Sequence, residues 1–135
     1  MLRDKSLDIG PLQTYYRSMT DIQPSLPLTP AVFHILLALA KGAKHGYAIM
    51  KEVTQDSGGK MRMGNGTLYG SLKRMLSDGL IDDAGDRTGD DETRRKYYKL
   101  TIRGRRALSA EMQRYVDTAE VIKASEMIPR LLGAH

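Results

Sequence analysis

The strongest constraint in this chain is a change of hydrophobic period at Asp78-Gly79. Before it lie three short segments with helical spacing, each closed by glycine. After it the residues turn to strand formers. AVFHILLALA (31–40) places Val32, Ile35, Leu36 and Leu39 on one stripe. Thr29-Pro30 supplies an N-cap and a proline at the first helical position, where its missing N–H does no harm. Lys41-Gly42 supplies a basic last turn and a glycine stop. YAIMKEVTQDS follows from His45-Gly46 and is stopped by Gly58-Gly59; KMRM connects it to NGTLYGSLKRMLSDG. Leu80-Ile81 then begins a strand, DDAGDRTGDDET (82–93) reads as a polar loop, and RRKYYKLT as the returning strand of a β-hairpin. Helical spacing resumes at Ile102. Leu108, Met112, Tyr115, Ala119 and Ile122 recur every four and three residues, a heptad seam. Pro129 ends it, because the residue before proline is pushed out of the α region. Gly10, Pro11, Pro24 and Pro27 break up the first 27 residues, with PLQTYYRSM as a short helix among them.

The expected fold is therefore mainly α with one small β-hairpin. Its divisions are an irregular N-terminal extension (1–27), a helical and hairpin domain (28–101) and a C-terminal helix (102–132). At 135 residues the chain is long enough for one modest core. It has no cysteine, so neither a disulfide framework nor a thiolate metal site is expected. His34, His45 and His135 are too dispersed to form a metal site. Gly59 and Gly64 have the separation of a phosphate-loop pair, but Asn65 stands where the lysine must be. The acidic pairs Asp82-Asp83 and Asp90-Asp91 lie on a polar loop, where burial cannot tune them for acid–base work. No enzyme and no cofactor is expected. With neither a spanning apolar run nor a secretory leader, a cytoplasmic location without membrane contact is the default.

The net charge of +5 is unevenly placed. Residues 41–81 carry seven basic and three acidic side chains, and residues 94–106 carry seven basic and none acidic. Between them, residues 82–93 carry six acidic side chains and only Arg87. Two basic blocks suit a polyanion, although such runs are commonly just solvated faces. One block contains the third helix. At about 100° per residue, Leu68, Leu72, Met75 and Leu76 share its inward side, and Tyr69 lies at the border. Gly66, Gly70, Lys73, Arg74 and Ser77 face outward with Thr67 at the edge. Each glycine costs about 1 kcal/mol against alanine in a helix, so two of them on an outward face suit a surface that must be approached closely. The hydroxyls of Thr67, Ser71 and Ser77 would arrive with Lys73 and Arg74, and the free N–H groups of the first turn favour an anion.

Three motifs in order, HGYAI (45–49), NGTLYGSLKRMLSDGLI (65–81) and RKYYKLTIRGRRAL (95–108), resemble the PadR family of bacterial winged-helix transcriptional regulators. The resemblance spans roughly residues 28–125. It implies a winged helix-turn-helix whose third helix enters the major groove, and a homodimer that binds a partly palindromic operator in double-stranded DNA as a repressor. Residue by residue, it implies DNA contacts from Thr67, Tyr69 and Lys73 with Arg74 beside it, from Tyr47 in the second helix, and from Arg94, Arg95 and Lys96 at the second wing strand. Asn65, Gly66, Gly70 and Ser71 complete the recognition face, and Arg87 the wing. Asn65 stands where many relatives have proline, and Gly70 where a larger residue is frequent. The acidic tip should repel phosphate, leaving wing contacts to Arg87 and the 94–96 cluster. The C-terminal helix matches the short branch of the family, with Leu108, Met112, Tyr115, Ala119 and Ile122 as its dimerisation seam. A small-molecule effector is implied between the first and last helices, lined by Phe33, Met112 and Tyr115, although the same residues also read as plain core and interface. The competing class is a winged-helix interaction module whose basic face holds an acidic protein partner.

Overall fold

The computed structural model describes residues 27–128 and Gly133; the PLQTYYRSM segment and Pro129 lie outside them. Within these residues, helix α1 (Pro30–Ala40), strand β1 (Lys44–His45), helix α2 (Gly46–Asp56), helix α3 (Asn65–Ser77), strands β2 (Ile81–Thr88) and β3 (Arg94–Leu100), and helix α4 (Ile102–Ser125) follow in order. The expected mainly α architecture with a small β element is what forms.

Local chemistry sets most boundaries. The Thr29 hydroxyl accepts from the Val32 N–H at 3.2 Å, capping α1 ahead of Pro30. Gly58, Gly59 and Gly79 take the left-handed backbone that stops α2 and α3. Thr101 caps α4: its hydroxyl accepts from the Gly104 N–H at 2.9 Å and donates to the Gly79 carbonyl at 2.6 Å. Lys41 is not a free cation in the last turn of α1. Its ammonium reaches Asp56 at 2.8 Å and also Glu52, tying α1 to α2.

The core lies where the three helices meet the sheet. Ile35, Leu36 and Leu39 of α1, Ile49 and Val53 of α2, and Leu68, Leu72 and Met75 of α3 are buried against Leu80, Ile81, Tyr98 and Leu100. Helix α4 joins this core only through its first turns, at Ala107 and Leu108. Gly104 lets it come so close that a Cβ there would overlap the Leu80 carbonyl.

Two expectations are corrected in the sheet. It has three strands in the order β1-β3-β2, all antiparallel, because Lys44 and His45 pair with Tyr98 and Tyr97. Two residues are too few to show a strand period. Of the segment 82–93, only its second half is loop; Asp82–Thr88 continue β2 around a bulge between Asp83 and Asp86. Gly85 makes the bulge with φ +87°, and its N–H donates to the Asp83 carboxylate at 2.7 Å. An edge strand tolerates these acids because β3 sets cations against them. Helix α4 ends at Ser125 with Glu126 in the left-handed region, and residues 129–132 of the expected C-terminal segment lie outside the described residues.

One buried charge organises the packing of α4. Glu111 is completely buried. Its carboxylate accepts from the Leu28 N–H at 2.9 Å and from the Arg114 guanidinium at 2.7 and 3.1 Å. The guanidinium contact, reinforced by the Leu28 N–H, holds its pKa below the ordinary value. Replacing Glu111 with alanine would leave the Leu28 N–H without its acceptor and open a void. We expect Glu111→Ala to lose about 2–4 kcal/mol in denaturant unfolding, and Arg114→Ala, which leaves the buried carboxylate without its counter-ion, to lose a comparable amount.

His45 gives a second test. Its Nδ1 accepts from the Ala48 N–H at 3.2 Å, capping α2, and its ring meets Tyr97 edge-on at 5.2 Å. Burial, aided by the nearby Arg95 charge, lowers its pKa. The unfolded chain therefore takes up this proton before the folded one does, and stability falls as pH drops from above the ordinary histidine pKa through the lowered one. A Tm series from pH 7.5 to 5.5 should decline, and His45→Asn, which keeps a capping acceptor, should flatten that decline.

Candidate nucleic-acid interface

Helix α3 presents the face expected of it. Leu68, Leu72 and Met75 are buried, whereas Asn65, Gly66, Thr67, Gly70, Lys73, Arg74 and Ser77 are exposed and Ser71 is half-buried. A Cβ added at Gly66 or Gly70 would meet nothing within 4 Å, so neither glycine is required by packing. They form a bare strip along the helix. Tyr69 and Lys73 border it on one side, and Thr67 and Arg74 on the other. Arg74 also lines a cleft of about 220 Å³ with Leu28, Thr29 and Asp78, at the start of α1. Gly64 caps the helix without a side-chain hydrogen bond, so the first-turn N–H groups face outward unfilled by any side chain.

Tyr69 leans from this face into a cleft of about 230 Å³ between the start of α2 and strand β3. Its phenol rests directly on Gly46, where any Cβ would collide with the hydroxyl and the ring. Tyr47, 58% exposed, stands on one wall with Lys51 5.8 Å from its ring centre. Arg94, Arg95 and Lys96 form the other wall, and His45 and Tyr98 complete the lining. Burial pushes the Tyr98 phenol up, while the Lys96 ammonium lies 5.6 Å from its ring. Three sequence segments that looked separate thus converge on one concavity edged with cations and phenols. His45, the first residue of the HGYAI motif and in the sequence a turn residue within reach of a phosphate, lines the same cleft.

The wing cations are not bare. Arg94 reaches Asp86 at 3.1 Å, Arg95 reaches Asp91 at 2.9 Å, and Lys96 reaches Asp83 at 3.5 Å. Arg87 lies opposite Arg95 across the ladder, a like-charge pair that would be unfavourable. It is relieved because Arg95 turns to Asp91 and Arg87 stacks 4.4 Å over the Tyr97 ring.

The seam on α4 divides. Leu108 is buried within its own chain, whereas Met112, Tyr115, Ala119 and Ile122 are exposed, as are Val116 and Val121 between them. Tyr115 meets Phe33 edge-to-face at 5.1 Å, and Phe33 meets His34 at 5.3 Å. Met112 instead lines a groove of about 300 Å³ with Ala40, Leu100 and Val116. Among the described residues there is no group of acidic, histidine or cysteine side chains fit to hold a metal ion, and no helix long and apolar enough to cross a membrane.

Comparison with known proteins places this geometry. A 77-residue stretch is 39% identical to an uncharacterized 37.1 kDa protein of transposon TN4556 from Streptomyces fradiae, covering 57% of this chain and 20% of that one. The chain thus spans about one-fifth of the length of that curated relative. A PadR family transcription regulator from Clostridium difficile superposes with a TM-score of 0.61 at 29% identity, over 71% of this chain and 97% of the other. Bacillus subtilis PadR, solved in complex with operator DNA, superposes with a TM-score of 0.56 at 24% identity, over 64% and 47% of the two chains. The model of the transcriptional regulator PadR-like family matches residues 35–110, more than half of the chain. That span runs from the middle of α1 through α2, α3 and the wing to the start of α4, and the chain belongs to the PadR-like family of transcriptional regulators.

Proposed function

We propose that this regulator is a homodimer that binds a partly palindromic operator and represses transcription from it. The observation that carries the DNA reading is the single face shared by the bare Gly66–Gly70 strip and the cleft of Tyr47, Tyr69 and the wing cations. In this reading α3 enters the major groove, with Asn65, Thr67, Ser71, Lys73 and Arg74 near base edges and phosphates. Tyr47, Tyr69, Arg87, Arg94, Arg95 and Lys96 hold the backbone on either side. The operator complex of Bacillus subtilis PadR supports the choice of duplex DNA over an acidic protein as partner.

The dimer reading rests on α4. From Met112 to Glu126 every residue is exposed, so about 20 Å of helix has little cover from the other described residues beyond the Tyr115–Phe33 contact. Isolated helices of this length are marginal in water, and its apolar residues fit a second copy across a two-fold axis. Half-sites would then lie about one helical turn apart. The effector reading places a small aromatic or cationic molecule beside Phe33, Met112 and Tyr115. It is supported by the His34 Nδ1 next to Phe33, which is buried without a hydrogen-bond partner among the described residues. Residues 28–101 form the DNA-binding unit and α4 the dimerisation helix.

Fluorescence anisotropy with the protein's own upstream DNA tests the reading. Tyr69→Phe should weaken binding by about 1.5 kcal/mol, roughly tenfold, on every sequence. Lys73→Ala should also reduce the salt slope by about 0.9, and Arg74→Ala should relax base preference as well. Wild-type protein with no salt-sensitive affinity for any duplex would overturn the DNA reading in favour of an acidic protein partner. Gly46→Ala should weaken binding in the same direction as Tyr69→Ala by moving the phenol from its seat, and combining the two should add little to Tyr69→Ala alone.

A further inference from the structure

Most wing cations in this protein face carboxylates of their own chain. Arg94, Arg95 and Lys96 each meet a different aspartate, and the three acids come from both β2 and the turn that follows it. Backbone hydrogen bonds fix two of these acids in place. Asp83 accepts from the Gly85 N–H within the bulge, and Asp91 accepts from the Thr93 N–H at 3.0 Å. Those backbone hydrogen bonds are the main reason both carboxyls titrate below their ordinary value. The remaining wing acids, Asp82, Asp90 and Glu92, are exposed and make no ion pair among the described residues. The acidic stretch is therefore two sets of three: one engaged with the cations of the cleft, the other directed to solvent.

A phosphate that enters the cleft must take Arg94, Arg95 and Lys96 from partners already held at ion-pair distance. We infer that Asp83, Asp86 and Asp91 are built-in competitors of the DNA backbone that hold down sequence-independent binding at the wing. The inference rests on the DNA reading above and adds to it a group of residues that set affinity without touching the nucleic acid. Its physical logic is that non-specific affinity comes almost wholly from cations neutralising phosphates and releasing counterions. A cation already neutralised by its own chain gains less from a phosphate. The cost falls on every register along a duplex, whereas base readout by α3 is unaffected. Such an arrangement limits the protein held on bulk DNA, where competing sites outnumber any operator.

The experiment compares Asp83→Asn/Asp86→Asn/Asp91→Asn with Asp82→Asn/Asp90→Asn/Glu92→Gln. Both triple variants raise the net charge by three, and asparagine keeps the oxygen that the Gly85 and Thr93 N–H groups need. Each is titrated against a duplex of arbitrary sequence from 50 to 300 mM salt, with Tm measured alongside. The first variant should bind about tenfold or more tightly than wild type at the lowest salt. Its log–log salt slope should steepen by about 0.9 for each freed cation that reaches a phosphate. The second should gain clearly less and keep the wild-type slope. Equal gains from both would reduce the effect to overall charge and overturn the proposal, as would a first variant, folded by its Tm, that binds like wild type. Wild-type protein that binds no duplex at any salt would instead sink the DNA reading on which the proposal stands, whereas wild-type binding sensitive to Lys73→Ala keeps that reading whatever the wing variants do.

Discussion

The contact on which this structure turns is the seat of the Tyr69 phenol on Gly46. It joins the start of α2 to the second turn of α3 at a point where neither helix has a large side chain to spare. A residue with a Cβ at 46 would push the ring outward, and with it the wall it forms with Tyr47. His45, one residue earlier, is paired to Tyr97 in the sheet, so the seat lies beside β3. A missing side chain therefore does more positioning than any single hydrogen bond here. Two consequences follow together: the recognition helix is braced on its wing side, and the cleft between it and β3 has a defined width.

Charge is organised around that cleft by strand register. The bulge at Gly85 shifts β2 by enough to set Asp86 opposite Lys96 and Arg87 opposite Arg95. Diagonal reach then brings Asp86 to Arg94 and Asp83 to Lys96. Exposed pairs of this kind contribute little to stability, commonly 0–1 kcal/mol each. Their importance lies in availability: the cations are oriented, partly neutralised, and ready to exchange one anion for another. The excess positive charge read in the sequence is thus smaller at the wing than the count of lysines and arginines suggests.

Much of this was legible in the residues. The three helices, their glycine stops and the Thr29 cap follow from local rules, because capping and left-handed backbone depend on a few adjacent residues. The bare face of α3 was legible for the same reason: Leu68, Leu72 and Met75 fix its rotation, and Gly66 and Gly70 must then point away. What stayed hidden depends on partners distant in sequence. Lys44-His45 becomes a strand only because β3 passes beside it. The acids of β2 read as loop, since their neutralising cations come from the next strand. Nothing in the sequence near Glu111 announces that the Leu28 N–H, 83 residues away, bonds to its carboxylate. The site residues assigned by resemblance converge in space, and their contacts with DNA remain the proposal to be tested.

Glu111 also bears on how reading and assembly are connected. It is the last buried residue of α4, directly before the stretch whose apolar side chains lie open. Through its carboxylate the start of α1 is fastened to α4 just where that helix leaves the domain. Phe33, one turn into α1, meets Tyr115 one turn further along α4. In the proposed dimer the exposed seam begins directly after this junction, so the junction would join the reading unit to the pairing helix. A rigid junction gives a fixed half-site spacing, and a molecule wedged between Phe33 and Tyr115 would change that spacing without touching the DNA face. In the proposed effector reading, the same few contacts that stabilise the base of α4 are where a bound molecule would act on the recognition helices.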